Sequence, residues 1–134
     1  DGAAELLPLP DGSIDAAWSV NAMHHWVDPA VAATEIARVL RPGGRVILVD
    51  EDFEDPQHPD HERFKARHRA KPGDDGIDSD VDTGGSESTL NRHGFTTVDA
   101  AAMGRLLASA GLVEIEATKR ELRDRPVISV TARR

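Results

Sequence analysis

The chain has 134 residues, 39% of them hydrophobic and 30% charged, which is the composition of a single globular domain. Its net charge of −8 disfavours nucleic acids and anionic membranes as partners, and no apolar run reaches the roughly 18 residues of a membrane helix. The absence of cysteine excludes disulfides, thiolate metal sites and cysteine nucleophiles. We therefore expect a cytoplasmic protein without nucleic-acid or membrane partners.

A strand and a helix are predicted in the first third of the chain. The apolar run from Ile14 to Val20 follows the turn residues Asp11 to Ser13, as in a parallel strand that is buried on both faces. Asp28 is a good helix N-cap, and Pro29 is well tolerated at the first helical position. Apolar residues then recur every three or four positions as far as Leu40, so one helix face should pack on a sheet.

The helix should end in the sequence Arg41-Pro42-Gly43-Gly44, where proline blocks the helix and glycine permits a reversal. The apolar run from Arg45 to Val49 predicts a second strand, which completes a βαβ unit and indicates a layered α/β fold. Functional atoms in such folds lie at the carboxyl ends of the strands. Those ends are Ser19 to Asn21 and Asp50.

The second half begins with a polar insert or lid at about residues 53–94. We expect a short helix within residues 55–71 and a loop at residues 72–89, which are rich in glycine and aspartate. A further helix, capped by Thr97 or Asp99, should run to Ala110, with Gly111 after it. Strands at 113–122 and 126–132 should form a hairpin.

The segment from Ala4 to Asp50 carries four motifs in a characteristic order: LPLPDGSID, MHHW, an Asp-Pro cap and RVLRPGGRVILVD. In these motifs the chain resembles class I S-adenosylmethionine-dependent methyltransferases that act on small molecules. The resemblance implies a partial Rossmann-like sheet, a parallel βαβ unit plus a C-terminal antiparallel hairpin. It implies that residues 1–134 form the C-terminal part of one domain, and that the first three strands and the Gly-rich loop precede Asp1.

The resemblance also implies that S-adenosylmethionine is the cofactor and assigns residues to it. Ala3 and Ala4 stand where the family has an Asp-Ala pair beside the adenine, so only the Ala4 backbone contact carries over. Ser19, Val20 and Asn21 would contact the methionine part, mainly through backbone carbonyls. The methyl acceptor would be a small molecule with an O, N or C nucleophile.

His24 and His25 are weak candidates for a catalytic base, because a neutral imidazole could take a proton from the acceptor. Methyl transfer depends mainly on positioning, however, so one of these histidines could equally be structural. We interpret Trp26 as a lid or packing residue rather than a stacking platform. The acidic run Asp50-Glu51-Asp52 could hold a cationic substrate, although a solvated loop is the commoner role of such a run.

Metal chemistry has little support in the sequence. His58 and His61 could be ligands on one helix face, but two ligands without a third do not make a zinc site. We therefore predict no metal.

Two other functions remain open. The chain could be a non-catalytic fragment that forms a homodimer through an open sheet edge at residues 14–20. A nicotinamide-binding Rossmann half fits the βαβ pattern but does not account for the MHHW and LPLPDGSID motifs.

Overall fold

The computed structural model describes the backbone of residues 3–69 and 99–134, and the side chains of residues 3–66 and 99–134. Within these residues four strands and three α-helices surround one core. In chain order the elements are β1 (Ile14–Val20), a 3-10 turn (Met23–His25), α1 (Pro29–Val39), β2 (Leu40–Glu51), α2 (His61–Arg69), α3 (Ala100–Ser109), β3 (Val113–Leu122) and β4 (Arg125–Arg133). No helix in the described residues is both long and apolar enough to cross a membrane.

The described strands form a mixed sheet in the order β1-β2-β4-β3. Strand β1 runs parallel to β2, whereas β4 is antiparallel to both β2 and β3. The predicted α/β class, with a parallel βαβ unit and a C-terminal antiparallel hairpin, is confirmed.

Helices α1 and α3 both begin at the residues that local chemistry predicts. The Asp28 carboxylate caps α1 by accepting hydrogen bonds from the N–H groups of Ala30 and Val31, at 3.0 and 3.1 Å. Asp99 caps α3 through the Ala102 N–H at 2.6 Å, and Gly111 follows the helix with a φ of +90°. The other predicted cap of α3, Thr97, lies outside the described residues.

The structure moves the start of the second strand from Arg45 to Leu40, so the predicted turn lies inside β2. Ile14 pairs with Leu40 and Ala16 pairs with Arg45, which leaves the four intervening residues of β2 as a bulge. Gly43 has a φ of +81°, and a Cβ on Gly44 would lie only 2.9 Å from the Arg41 carbonyl oxygen. The two glycines therefore serve different needs, since one supplies backbone conformation and the other supplies space.

The two faces of the sheet differ in their cover. Helices α1 and α3 bury one face, where Val46 and Leu48 of β2 lie beside Val130 of β4. On the opposite face Trp18 is 76% exposed and Val20 is 64% exposed. The prediction that β1 is buried on both faces is therefore wrong for the described chain, because none of the described elements covers this second face.

The polar insert is described only in part. Helix α2 lies within the predicted helical region of residues 55–71. The predicted loop at residues 72–89 lies outside the described residues.

Candidate functional site

A small pocket of about 50 Å³ lies at the carboxyl end of β2, the edge of the sheet where the βαβ pattern predicts function. The segments that line it come from the 3-10 turn, the end of β2, the insert and the β3–β4 hairpin. Its lining residues are Met23, His24, Asp50, Glu51, Asp52, Phe53, Glu54, Phe64, Asp99, Lys119 and Ile128.

His24 and Asp50 form a buried pair in this pocket. The backbone N–H of His24 donates to Asp50 Oδ2 at 3.0 Å, and His24 Nδ1 lies 2.7 Å from Asp50 Oδ1. An ionised carboxylate only accepts hydrogen bonds, so Nδ1 carries the proton when the ring is neutral. In that tautomer the lone pair lies on Nε2, which can accept a proton. The pair has the arrangement of an oriented general base.

The structure separates the two candidate histidines. The side chain of His24 is buried, whereas His25 is exposed and its ring centroid lies 4.1 Å from that of His24. Met23 and Trp26, on either side of the pair, belong to the hydrophobic core. Their burial anchors the 3-10 turn, and it confirms that Trp26 is a packing residue.

The acidic run at the end of β2 is not a solvated loop. Asp50 is 3% exposed and Asp52 is 8% exposed. Asp50 accepts a third hydrogen bond from the Glu51 N–H, at 2.8 Å. Lys119 Nζ lies 2.6 Å from Asp52 Oδ2, and this carboxylate raises the pKa of the lysine above its usual value. Sequence reasoning missed Lys119, because only the register of β3 on β4 brings it to the pocket.

Two phenylalanines of the insert add an apolar wall that the sequence analysis did not identify. The rings of Phe53 and Phe64 are nearly parallel, with centroids 5.5 Å apart and an interplanar angle of 13°. Phe53 also meets the His24 ring edge-to-face at 5.4 Å. Aromatic residues make up only 4% of the chain, so two phenylalanines within the predicted insert could have indicated an apolar wall.

His58 and His61 hold this wall in place. His58 Nδ1 accepts from the Asp60 N–H at 3.0 Å, so its Nε2 carries the proton and donates to Glu51 Oε2 at 2.9 Å. His61 Nδ1 donates to the Phe53 carbonyl oxygen at 2.9 Å. Both ring nitrogens of His58 are thus occupied within the protein. No group of three or more potential metal ligands occurs in the described residues.

The N-terminal loop that carries Ala3 and Ala4 is tied to the region beyond β1. Glu5 Oε1 accepts hydrogen bonds from the N–H groups of Val27 and Asp28, at 2.7 and 3.2 Å. Ala4 packs against the core, while the Ala3 side chain is exposed. Glu5 is a positioning residue that sequence reasoning missed.

The loop is held a second time through α1. Arg38 forms two hydrogen bonds with the Glu35 carboxylate and also donates to the Leu7 and Leu9 carbonyl oxygens. The hydrogen bond from Arg38 is the main cause that lowers the pKa of Glu35 to about 2, with a further contribution from the Leu7 N–H. The loop is thus fixed at both ends.

Ser19, Val20 and Asn21 lie at the end of β1, as predicted. Asn21 has a φ of +53°, and its N–H donates to the Val49 carbonyl oxygen at 2.8 Å, which ends the pairing with β2. Ser19 is partly buried, whereas Val20 and Asn21 are exposed. Their assignment to a cofactor remains a prediction.

Comparison with known sequences shows which proteins share the motifs of the N-terminal third of the chain. A family model described as a methyltransferase domain matches residues 1–48. An uncharacterized methyltransferase of Mycobacterium bovis is 60% identical over 48 residues, which are 36% of this chain and 19% of that protein. The 2-methyl-6-phytyl-1,4-hydroquinone methyltransferase of Synechocystis is 49% identical over 47 residues, 35% of this chain and 15% of that protein. The matches span less than a fifth of these relatives.

Comparison with solved structures covers nearly the whole chain. A crystal structure from Thermotoga maritima, described as a SAM-dependent methyltransferase and possible histamine N-methyltransferase, aligns with 98% of this chain and 61% of its own. The TM-score is 0.68 and the sequence identity is 20%, so this likeness concerns the fold. Residues 1–48 thus match a methyltransferase domain, and the chain shares its fold with SAM-dependent methyltransferases, which agrees with the resemblance that the motifs show.

Proposed function

We propose that this chain contributes to S-adenosylmethionine-dependent methyl transfer onto a small-molecule acceptor. The observation that carries the proposal is the buried His24–Asp50 pair in the pocket, because His24 closely follows in sequence the strand end that the family resemblance assigns to the cofactor. A proton acceptor beside a bound methyl donor would assist alkylation of an O–H or N–H group.

The end of β1 has donor and acceptor groups that suit the methionine part of the cofactor. In the described sheet β1 pairs only with β2, so carbonyl groups on its outer edge can accept hydrogen bonds from an ammonium group. Ser19, Val20 and Asn21 would hold that group, and the backbone of Ala4 would lie beside the adenine. Ala3 has no side-chain acceptor for the adenine amino group. When bound, S-adenosylmethionine supplies an electrophilic methyl group on sulfur.

On the acceptor side, the chain's own residues orient and deprotonate the nucleophile. Asp50 fixes the His24 tautomer, and His24 Nε2 accepts the proton that the acceptor loses. A cavity of about 50 Å³ admits only the reactive end of an acceptor. The relative from Synechocystis, named for a small hydroquinone substrate, supports a small-molecule acceptor.

A titration of isotope-labelled S-adenosylmethionine tests the cofactor assignment. Micromolar affinity would support cofactor binding by this chain, and millimolar or absent affinity would support the non-catalytic fragment. Asn21→Val should weaken binding about ten-fold, because a β-branched residue is strained at positive φ and would displace the carbonyls of the strand end. Asn21→Gly, which accepts the same φ, is the matched control and should bind like the unaltered chain.

A second candidate is an interaction module that forms a homodimer through β1. It is favoured by the large exposure of Trp18 and Val20 next to a strand edge that is unpaired in the described sheet. Sedimentation velocity separates the candidates, since a dimer that dissociates in Trp18→Lys and does not bind S-adenosylmethionine would favour the module.

A further inference from the structure

We propose that the acceptor is an organic amine that enters the pocket as an ammonium cation. This inference rests on the proposed function, and it narrows the nucleophile from O, N or C to nitrogen. It is carried by the juxtaposition of buried carboxylates, two phenylalanine rings and the His24–Asp50 pair around one cavity.

The charges that line the pocket are unbalanced. Five carboxylates reach it, from Asp50, Glu51, Asp52, Glu54 and Asp99, and we call them the acidic rim. Apart from His24, Lys119 is the only basic residue among the described lining residues, and its ammonium group is held by Asp52. Arg125 offsets part of the charge of Glu51, at 3.0 Å. The remaining field is negative and attracts a cation.

Burial makes this field effective. Because Asp50 and Asp52 are more than nine-tenths buried, solvent and salt screen them less than surface charges. Asp52 Oδ2 is buried and is paired with Lys119 Nζ at 2.6 Å, but a carboxylate oxygen has a second lone pair. This oxygen retains the capacity to accept a hydrogen bond from an ammonium N–H.

The aromatic wall adds a preference that carboxylates alone would not give. The stacked rings of Phe53 and Phe64 line the same pocket as the acidic rim. Aromatic faces attract organic cations, including alkylammonium groups, and they also pack against the alkyl part of such ligands. A hydrated metal ion would gain little from such a wall, and an anionic acceptor would be repelled by the acidic rim.

The position of His24 fits the chemistry of an amine. An ammonium group has no lone pair and cannot attack carbon until it loses a proton. Transfer of one N–H proton to His24 Nε2 releases the lone pair, which forms the new N–C bond. The electron pair of the broken C–S bond remains on sulfur, and the proton passes from His24 to solvent. Asp50 stabilises the imidazolium that forms in the meantime.

The test compares two probes of nearly equal shape, 3,3-dimethylbutylamine, which is an ammonium cation with N–H groups at neutral pH, and its neutral isostere 3,3-dimethyl-1-butanol. Binding of each to the chain is followed by NMR chemical shifts of the His24 and Phe64 side chains, without cofactor. We expect the amine to shift these signals and to bind at least ten-fold more tightly than the alcohol. Equal binding of both probes, or binding of neither, would overturn the proposal.

Variants identify which groups select the cation. Glu54→Gln removes one exposed charge of the acidic rim and should weaken amine binding about two- to five-fold. Phe64→Leu keeps an apolar side chain but removes the ring face, and should weaken it by a similar factor. Glu121→Gln, an exposed carboxylate that does not line the pocket, is the matched control and should leave it unchanged. Equal effects of the Glu54 and Glu121 variants would assign the preference to overall charge and contradict the proposal.

The test of the amine acceptor can fail independently of the test of the proposed function. Selective amine binding without S-adenosylmethionine binding would leave an organic-cation site and refute cofactor binding by this chain. Cofactor binding without cation selectivity would leave methyl transfer in place and refute the amine acceptor.

Discussion

Both faces of the sheet carry large apolar side chains, but in the described chain helices cover only one face. On the face covered by helices, β2 places Val46, Leu48 and Asp50, all of them buried. On the other face, Ile47 of β2 lies beside Trp18 of β1, and both are exposed. The alternation of one strand thus separates a packed core and a buried catalytic candidate from an open apolar surface. Because neighbouring residues lie on opposite faces, the tests on β2 have an internal control.

The largest effect is expected from Leu48→Ala compared with Ile47→Ala. Leu48 is 1% exposed, so its truncation should leave a cavity and lower the free energy of unfolding by about 2–5 kcal/mol. Ile47 is 48% exposed, and its truncation should cost less than about 1 kcal/mol. Urea unfolding measures both. Equal losses would mean that the second face is covered in solution.

Asp50→Asn compared with Glu51→Gln extends this test to the polar end of β2. Three N–H donors face the Asp50 carboxylate, and an amide would turn a donor toward some of them, so we expect a loss of about 1–3 kcal/mol. Glutamine at position 51 retains an acceptor for His58 and should cost less than about 1 kcal/mol. Nitrogen NMR of the His24 ring should show a weaker preference for the Nδ1–H tautomer only in the Asn variant.

A smaller effect is expected at Glu35 on the helix-covered side. Its pKa falls from 4.5 to about 2 in the folded chain, so its stabilising effect is complete above pH 4.5 and is lost as the pH falls toward 2. Glu35→Gln should remove this part of the acid sensitivity. Thermal unfolding between pH 6 and pH 2 measures it, and an unchanged acid slope would show that another carboxylate is responsible.

The smallest change in stability is expected for Trp18→Thr on the open face. Threonine suits a strand, and an exposed tryptophan contributes little to folding, so the free energy of unfolding should change by less than about 0.5 kcal/mol. Self-association measured by sedimentation should decrease. A loss of stability comparable to that of Leu48→Ala would instead show that Trp18 is packed.

Prediction from sequence succeeded where the determining chemistry is local. Asp28 and Pro29 define the start of α1 within a few residues, and Asp99 and Gly111 do the same for α3. The family motifs likewise lie in one continuous segment, so the βαβ unit, the hairpin and the position of His24 at a strand end could all be predicted.

The partners within the site could not be predicted, because they depend on the register of the sheet. His24 and Asp50 are 26 residues apart, and Lys119 meets Asp52 only when β3, β4 and β2 are aligned. Burial of the acidic run follows from the same three-dimensional packing. The exposed face of β1 was mispredicted for a related reason. An apolar run indicates that a strand favours burial, but whether it is buried depends on the elements that pack against it.

The turn at Gly43 and Gly44 has a consequence for the order of folding. Gly43 N–H donates to the Arg134 carbonyl oxygen, and Arg134 N–H donates to the Gly44 carbonyl oxygen. The Arg134 guanidinium also donates to the carbonyls of Arg38 and Leu40, which lie 96 and 94 residues earlier. This turn is a local sequence motif, but its hydrogen bonds with Arg134 can form only after β4 has docked. Because such distant contacts form slowly, we expect this turn to be among the last parts of the domain to become protected from hydrogen exchange during refolding.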